Sequence, residues 1–257
     1  MSRLRSSILD RLLLRRSLRR WSHAARAAET AELDTLRAQR NEARLLRSKL
    51  DALVHVADGR LALPRIGSNA FSRPSGTLWS WRPQAWRGPL GTKGAAAVAN
   101  KTKLGDEVTL FHDCDISELT LRQVRNTREE DLAPFGIGLD VFRFDGSFLS
   151  LVLDVPSGGV VDVQRRHVIQ VRAILETEKP IEVFARLNIR HGPNAEQMVL
   201  EMPTDTSECM VEFDLAYSNL NEKRVEGMWL DLIFEGPEMN QVIIRDLTMC
   251  RYPRAEL

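Results

Sequence analysis

Apolar positions change their period partway along the chain. Over residues 3–24 Leu4, Ile8, Leu12, Leu14, Leu18 and Trp21 recur mostly three or four residues apart with arginines between them, which predicts a basic amphipathic helix. Residues 26–58 hold no Gly or Pro and are rich in Ala, Leu, Arg and Glu, so a long helix is expected there. Within it Leu33, Leu36, Ala43, Leu50, Val54 and Ala57 fit a heptad stripe, but Arg40 and Arg47 fall on the same register. That pattern suits either a short, imperfect coiled coil or a single helix packed within the chain.

From Pro64 to Gly94 four prolines and five glycines interrupt any regular element. The stretch nevertheless carries Trp79, Trp81 and Trp86 among Arg82 and Arg87, and flexible linkers are poor in aromatics. It reads as an ordered strap on the domain that follows, with an aromatic binding platform as the alternative. From about residue 106 the period becomes two. Strands are predicted at 107–111, 137–144, 147–155, 167–176, 181–190, 196–201, 210–217, 227–235 and 241–250. The fold class that follows is mainly β, an antiparallel jelly-roll β-sandwich preceded by an N-terminal helical arm. The expected division is 1–60 for the arm, 61–105 for the strap or linker and 106–257 for the sandwich.

Charge sharpens this division. Residues 1–105 carry 21 Lys and Arg against 7 Asp and Glu, net +14, whereas residues 106–257 carry 15 against 28, net −13. A basic arm on an acidic domain points to a partner with anionic character. Arg11, Arg15, Arg16, Arg19, Arg20 and Trp21 are the contact residues expected for an anionic membrane surface; a partner helix or a homo-oligomer is the rival occupant. Nucleic acid is disfavoured because no groove-reading module follows the basic helix. The apolar run Leu12-Leu13-Leu14 ends at Arg15, too short for the core of a signal peptide. Three cysteines, Cys114, Cys209 and Cys250, without a C-x-x-C pair suggest free thiols in a reducing compartment, hence a cytoplasmic chain, which the basic arm could make peripheral to the inner membrane.

Catalytic patterns are missing: no Gly-rich phosphate loop, zinc-helix or nucleophile-elbow motif occurs, and no cofactor or metal is expected. Phe111 to Asp115 gathers His112, Asp113, Cys114 and Asp115, but neighbours on a strand point to opposite faces and cannot converge on one ion. His191 begins His-Gly-Pro-Asn turn chemistry and reads as a rim residue. Alternation instead throws polar groups onto one sheet face. Arg186, Asn188 and Arg190 leave one strand, Asp214 a second, and Trp229 and Asp231 a third. A Trp beside Arg, Asn and carboxylates makes a sugar-binding surface if the strands are neighbours.

The stretches FDGSFLSLVLDVP, FARLNIRHGPNAEQ, FDLAYSNLNEKRVE and LDLIFEGPEMNQVIIRDL, with the strap WRPQAWRGPL, resemble an uncharacterised family of bacterial proteins of about this length. The β-half also resembles the galactose-binding and carbohydrate-binding-module type of jelly-roll. That resemblance implies a non-catalytic module for a carbohydrate or glycan-like ligand. Two other classes stay open: a structural or scaffold protein at an anionic membrane face, and a hydrolase hidden in the sandwich.

Overall fold

The computed structural model describes residues 8–61, 71–128 and 130–255. The chain forms two compact units, Met1–Leu53 and Val54–Leu257. In the first unit α1 spans Ile8–Ala27; α2, Leu33–Leu61, begins there and runs on past Leu53 into the second. The sequence offers no Gly or Pro to end α1. Thr30 does so instead, by placing both its amide and its hydroxyl on the Ala27 carbonyl and offering the backbone an alternative to another helical turn. Asp34 in the first turn of α2 and Arg26 in the last turn of α1 suit the helix dipoles. Arg20 then reaches Glu42 across the hairpin at 2.6 Å. Residues 3–7 of the expected first helix lie outside the described residues, as does the side chain of Arg11. Among the described residues no helix is long and apolar enough to cross a membrane.

The second unit is the sandwich. In chain order its strands are β1 Trp79–Trp81, β2 Gly94–Ala96, β3 Thr102–Leu104, β4 Val108–His112, β5 Glu118–Arg125, β6 Phe135–Arg143 and β7 Leu149–Asp154; then β8 His167–Thr177, β9 Glu182–His191, β10 Asn194–Glu201, β11 Glu208–Asp214, β12 Val225–Glu235 and β13 Asn240–Pro253. Sheet I runs β11-β8-β13-β6-β5-β2 with β1 added beside β13, and sheet II runs β10-β9-β12-β7-β4-β3. All pairings are antiparallel. Successive strands shuttle between the sheets, β6 to β7 to β8 to β9 and β10 to β11 to β12 to β13, as a jelly-roll does. Inward residues such as Leu121, Leu139 and Ile169 of sheet I and Leu151, Leu187 and Leu230 of sheet II are almost wholly buried, each worth roughly 1.5–3 kcal/mol of burial.

The stretch 61–105 does more than strap this body. Its described part contributes β1, β2 and β3, so the sheets begin upstream of the expected boundary at 106. Trp86, in the short helix α3 (Gln84–Arg87), is fully buried. Its Nε1 donates to the Ile244 carbonyl at 2.9 Å, beside the register shift of β13 between Ile244 and Asp246. Gly136 lies so close to that carbonyl that a Cβ would sit 2.7 Å from it. Arg82 reaches both Asp246 oxygens at 2.8 and 2.7 Å in a buried bidentate pair. Gln123 donates to the carbonyls of Ala85 and Gly88 and accepts from the Leu90 amide. Trp79 packs over α4 (Ser157–Val160), where a Cβ on Gly159 would come within 2.5 Å of the indole.

Candidate functional site

On β9 Val183, Ala185, Leu187 and Ile189 are buried inward, which turns Phe184, Arg186, Asn188 and Arg190 outward. On β12 Met228, Leu230, Leu232 and Phe234 point inward, leaving Trp229, Asp231 and Ile233 on the outer face. These strands are adjacent, and their register sets Trp229 opposite Asn188 and Asp231 opposite Arg186. On the other flank of β12 the partners are Asp154 for Trp229, Val152 for Asp231 and Ser150 for Ile233. Beyond β7 come Thr109 and Phe111 of β4. At about 4.8 Å between strands this patch is roughly 14 Å wide, and Trp229 to Ile233 is roughly 13 Å along the strand.

The hydrogen bonding at its centre is lopsided. Arg186 donates to Asp231 Oδ2 through Nε at 2.7 Å and Nη2 at 2.6 Å, and Asn188 Nδ2 donates to the same oxygen at 3.1 Å. Asp231 Oδ1 and Asn188 Oδ1 are buried with no donor among the described residues, and Ser150 Oγ is likewise without a partner there. Asp231 is 2% exposed and Asn188 1%, an unusual state for outward residues. Burial raises the Asp231 carboxyl above its ordinary range, while Arg186 and Asn188 pull the other way. An acceptor desolvated without a donor costs about 1–3 kcal/mol, so these atoms call for a donor from water or a ligand. Around them Trp229, Phe184, Phe111 and Ile233 are half-buried apolar surfaces.

Of the six residues expected on this face, the structure gathers five. Arg190 sits at its end, in an exposed pair with Glu226 at 3.5 Å. Asp214 is a correction: it belongs to β11 in sheet I, where its carboxylate accepts from the Ala216 amide and pairs with Arg254 at 3.2 Å. Sequence alternation marks the face of one strand but not the sheet it joins. Ser150 and Thr109 were not singled out, because LSLVLD and VTLFH read as apolar runs. His191 points inward and is buried, not on a rim. In Phe111 to Asp115, His112 Nε2 lies 2.8 Å from the Val98 carbonyl, and Asp113 accepts from the amides of Ser147 and Phe148 and from the Ser147 hydroxyl. Those bonds hold the Asp113 carboxyl below its usual range. Among the described residues no cluster of His, Cys, Asp or Glu could hold a metal ion.

Cavities among the described residues lie elsewhere. One of about 320 Å³ on sheet I is rimmed by Arg128 with Glu176 and Arg172 with Glu208, charges that already pair with each other. A wider one of about 880 Å³ is lined by Arg165, Arg166, Glu222 and Arg254. In the arm, Arg15, Arg16 and Arg19 are exposed, Trp21 is half-buried, and Arg20 lies 5.3 Å over the Trp21 ring.

Residues 1–257 match the profile of a family of unknown function, DUF6478. No curated protein matches the chain. Among solved structures, the enzymatically active domain of tailspike protein 4 of bacteriophage CBA120 aligns with a TM-score of 0.40 and 9% identity, over 60% of this chain and only 21% of the tailspike chain. The family 11 carbohydrate-binding module of Clostridium thermocellum in complex with a β-1,3-1,4-mixed-linked tetrasaccharide aligns at 0.39 and 10% identity, over 65% of this chain and all of that one. TmCBM61 in complex with β-1,4-galactotriose aligns at 0.33 and 12% identity, over 55% and 86%.

Proposed function

We propose that this chain, which belongs to the family of unknown function DUF6478, is a non-catalytic binding module that takes a neutral, hydroxyl-rich ligand of the glycan type on the outer face of sheet II. The observation that carries the reading is the pair of buried acceptors, Asp231 Oδ1 and Asn188 Oδ1, left without donors beside the half-buried Trp229. Sugar hydroxyls are donors, and a pyranose ring offers the apolar C–H face that an indole stacks on. The Asp231 charge is already met by Arg186, so the site favours a neutral ligand over a cation. Arg186 and Asn188 both hold Asp231 Oδ2, which leaves Oδ1 fixed in place to accept from a hydroxyl. A patch roughly 14 Å across suits an oligosaccharide of about three units better than a single sugar.

The test is titration of the full chain with neutral β-linked gluco-, xylo- and galacto-oligosaccharides. At least one series should bind, and Trp229→Ala and Asn188→Ala should each weaken it by about fivefold or more, or on the order of 1 kcal/mol. Full-strength binding by both variants, or no binding of any series by the parent chain, overturns the reading.

A further inference from the structure

The sandwich face does not account for the helical hairpin, whose surface is unlike the rest of the molecule. At 100° per residue Leu14, Leu18, Trp21 and Ala25 fall within about 60° on one side of α1, and Arg15, Arg16 and Arg19 centre on the other. In α2 Leu46, Leu50 and Leu53 fall within about 60°, continuing the stripe of Leu36, Gln39 and Ala43. Near the turn Trp21 of the first stripe and Leu36, Gln39 and Ala43 of the second are half-buried, while Ala25 is exposed. Away from it they are open: Leu14 is 60% exposed, Leu18 58%, Leu50 59% and Leu53 64%. The hairpin thus covers its stripes only in part near the turn and leaves both open away from it.

We infer that the open leucine stripes of α1 and α2 lie on a bilayer surface containing anionic lipid, with the flanking arginines among the headgroups. Charge selects this occupant. Residues 8–61 carry 12 Lys and Arg against 7 Asp and Glu, net +5. Of the carboxylates, Asp34, Glu42 and Asp51 already pair with Arg37, Arg20 and Arg47. Arg15, Arg16, Arg19, Arg40 and Arg44 have no carboxylate partner among the described residues. A second copy of the hairpin would bring the same surplus against itself, whereas anionic headgroups neutralise it and the acyl boundary accepts the leucines. Short stripes of this kind suit the bilayer surface, since among the described residues neither helix is apolar enough to span the bilayer.

The test is co-sedimentation of the full chain with vesicles of phosphatidylcholine alone and of an equimolar mixture with phosphatidylglycerol. The chain should bind the mixed vesicles, bind phosphatidylcholine far less, and be released by added salt. Arg15→Gln, Arg16→Gln and Arg19→Gln combined should weaken partitioning by about a hundredfold, from roughly 1 kcal/mol per arginine. Leu46→Gln, Leu50→Gln and Leu53→Gln combined should weaken it at least about tenfold at unchanged helix content by circular dichroism. The salt dependence of the parent chain decides the question independently if a variant loses its helix. Equal partitioning on both vesicle types, or leucine variants that bind like the parent, overturns the proposal. So does an oligomer in light scattering that the leucine variants dissolve while the parent ignores vesicles.

Discussion

The hairpin and the sandwich handle apolar surface in opposite ways. In the sandwich two sheets face each other, and leucines of alternating strands are buried to a few per cent of exposure. In the hairpin the stripe leucines Leu14, Leu18, Leu46, Leu50 and Leu53 are equally regular in spacing, yet all are exposed. Charges divide the same way: the sandwich ties its acids to nearby arginines, as in Arg82 with Asp246 and Arg186 with Asp231, whereas several arm arginines stand alone among the described residues. The difference teaches that amphipathic pattern alone does not close a core. A stripe is buried only where a second surface of matching length meets it, and the arm supplies that surface only near its turn.

Breaking the sandwich should therefore cost most where the strap enters its core. Trp86→Ala removes a wholly buried indole and its bond to the Ile244 carbonyl, and should lower stability by about 3–5 kcal/mol in urea unfolding. A loss below about 1 kcal/mol would return the Trp stretch to the status of a linker. Next comes Asp246→Ala, which takes the bidentate carboxylate away from the buried Arg82 and should cost about 3 kcal/mol; replacing both residues with apolar ones should cost less than the single change.

The third prediction concerns acid. Burial alone would raise Asp140, but bonds from Arg122, Thr120 and Gln241 outweigh it and hold the carboxyl at about 2 against an ordinary 3.8. A depressed carboxyl adds stability that is present above the unfolded value and lost as pH falls through the folded one, here between about pH 4 and pH 2. Asp140→Asn should remove about 2 kcal/mol at pH 7 and flatten that part of the pH profile. An unchanged profile would mean the bonds around Asp140 are not formed in solution. The smallest effect is expected in the arm: Leu46→Gln, Leu50→Gln and Leu53→Gln should change the sandwich's unfolding free energy by less than about 0.5 kcal/mol.

Much of this was legible in the sequence because period-two alternation is a local property. IEVFARLNIR gave both faces of β9, and Trp229 and Asp231 fell on the expected side of β12. What alternation cannot give is the neighbour of each strand, and Asp214 was misplaced for that reason. β5 escaped notice because Gln123 occupies the inward position after Leu119 and Leu121; its amide is satisfied only by strap carbonyls that are 35 and 38 residues away. The pattern separates the two helices near residue 25, but not at the right place: α1 runs on to Ala27 and α2 begins only at Leu33, because Thr30 ends the first helix without Gly or Pro. The unpartnered oxygens of Ser150, Asn188 and Asp231 depend on three strands meeting, so no single segment announces them.

Hydrogen exchange on the full chain, with and without the mixed anionic vesicles, tests the contrast between the two regions most directly. Alone, amides of the inner strands β8, β9, β12 and β13 should exchange slowly and those of α1 and α2 orders of magnitude faster; vesicles should slow the two helices and leave the strands unchanged. Helices already as protected as the strands in the free chain, and indifferent to vesicles, would contradict the account.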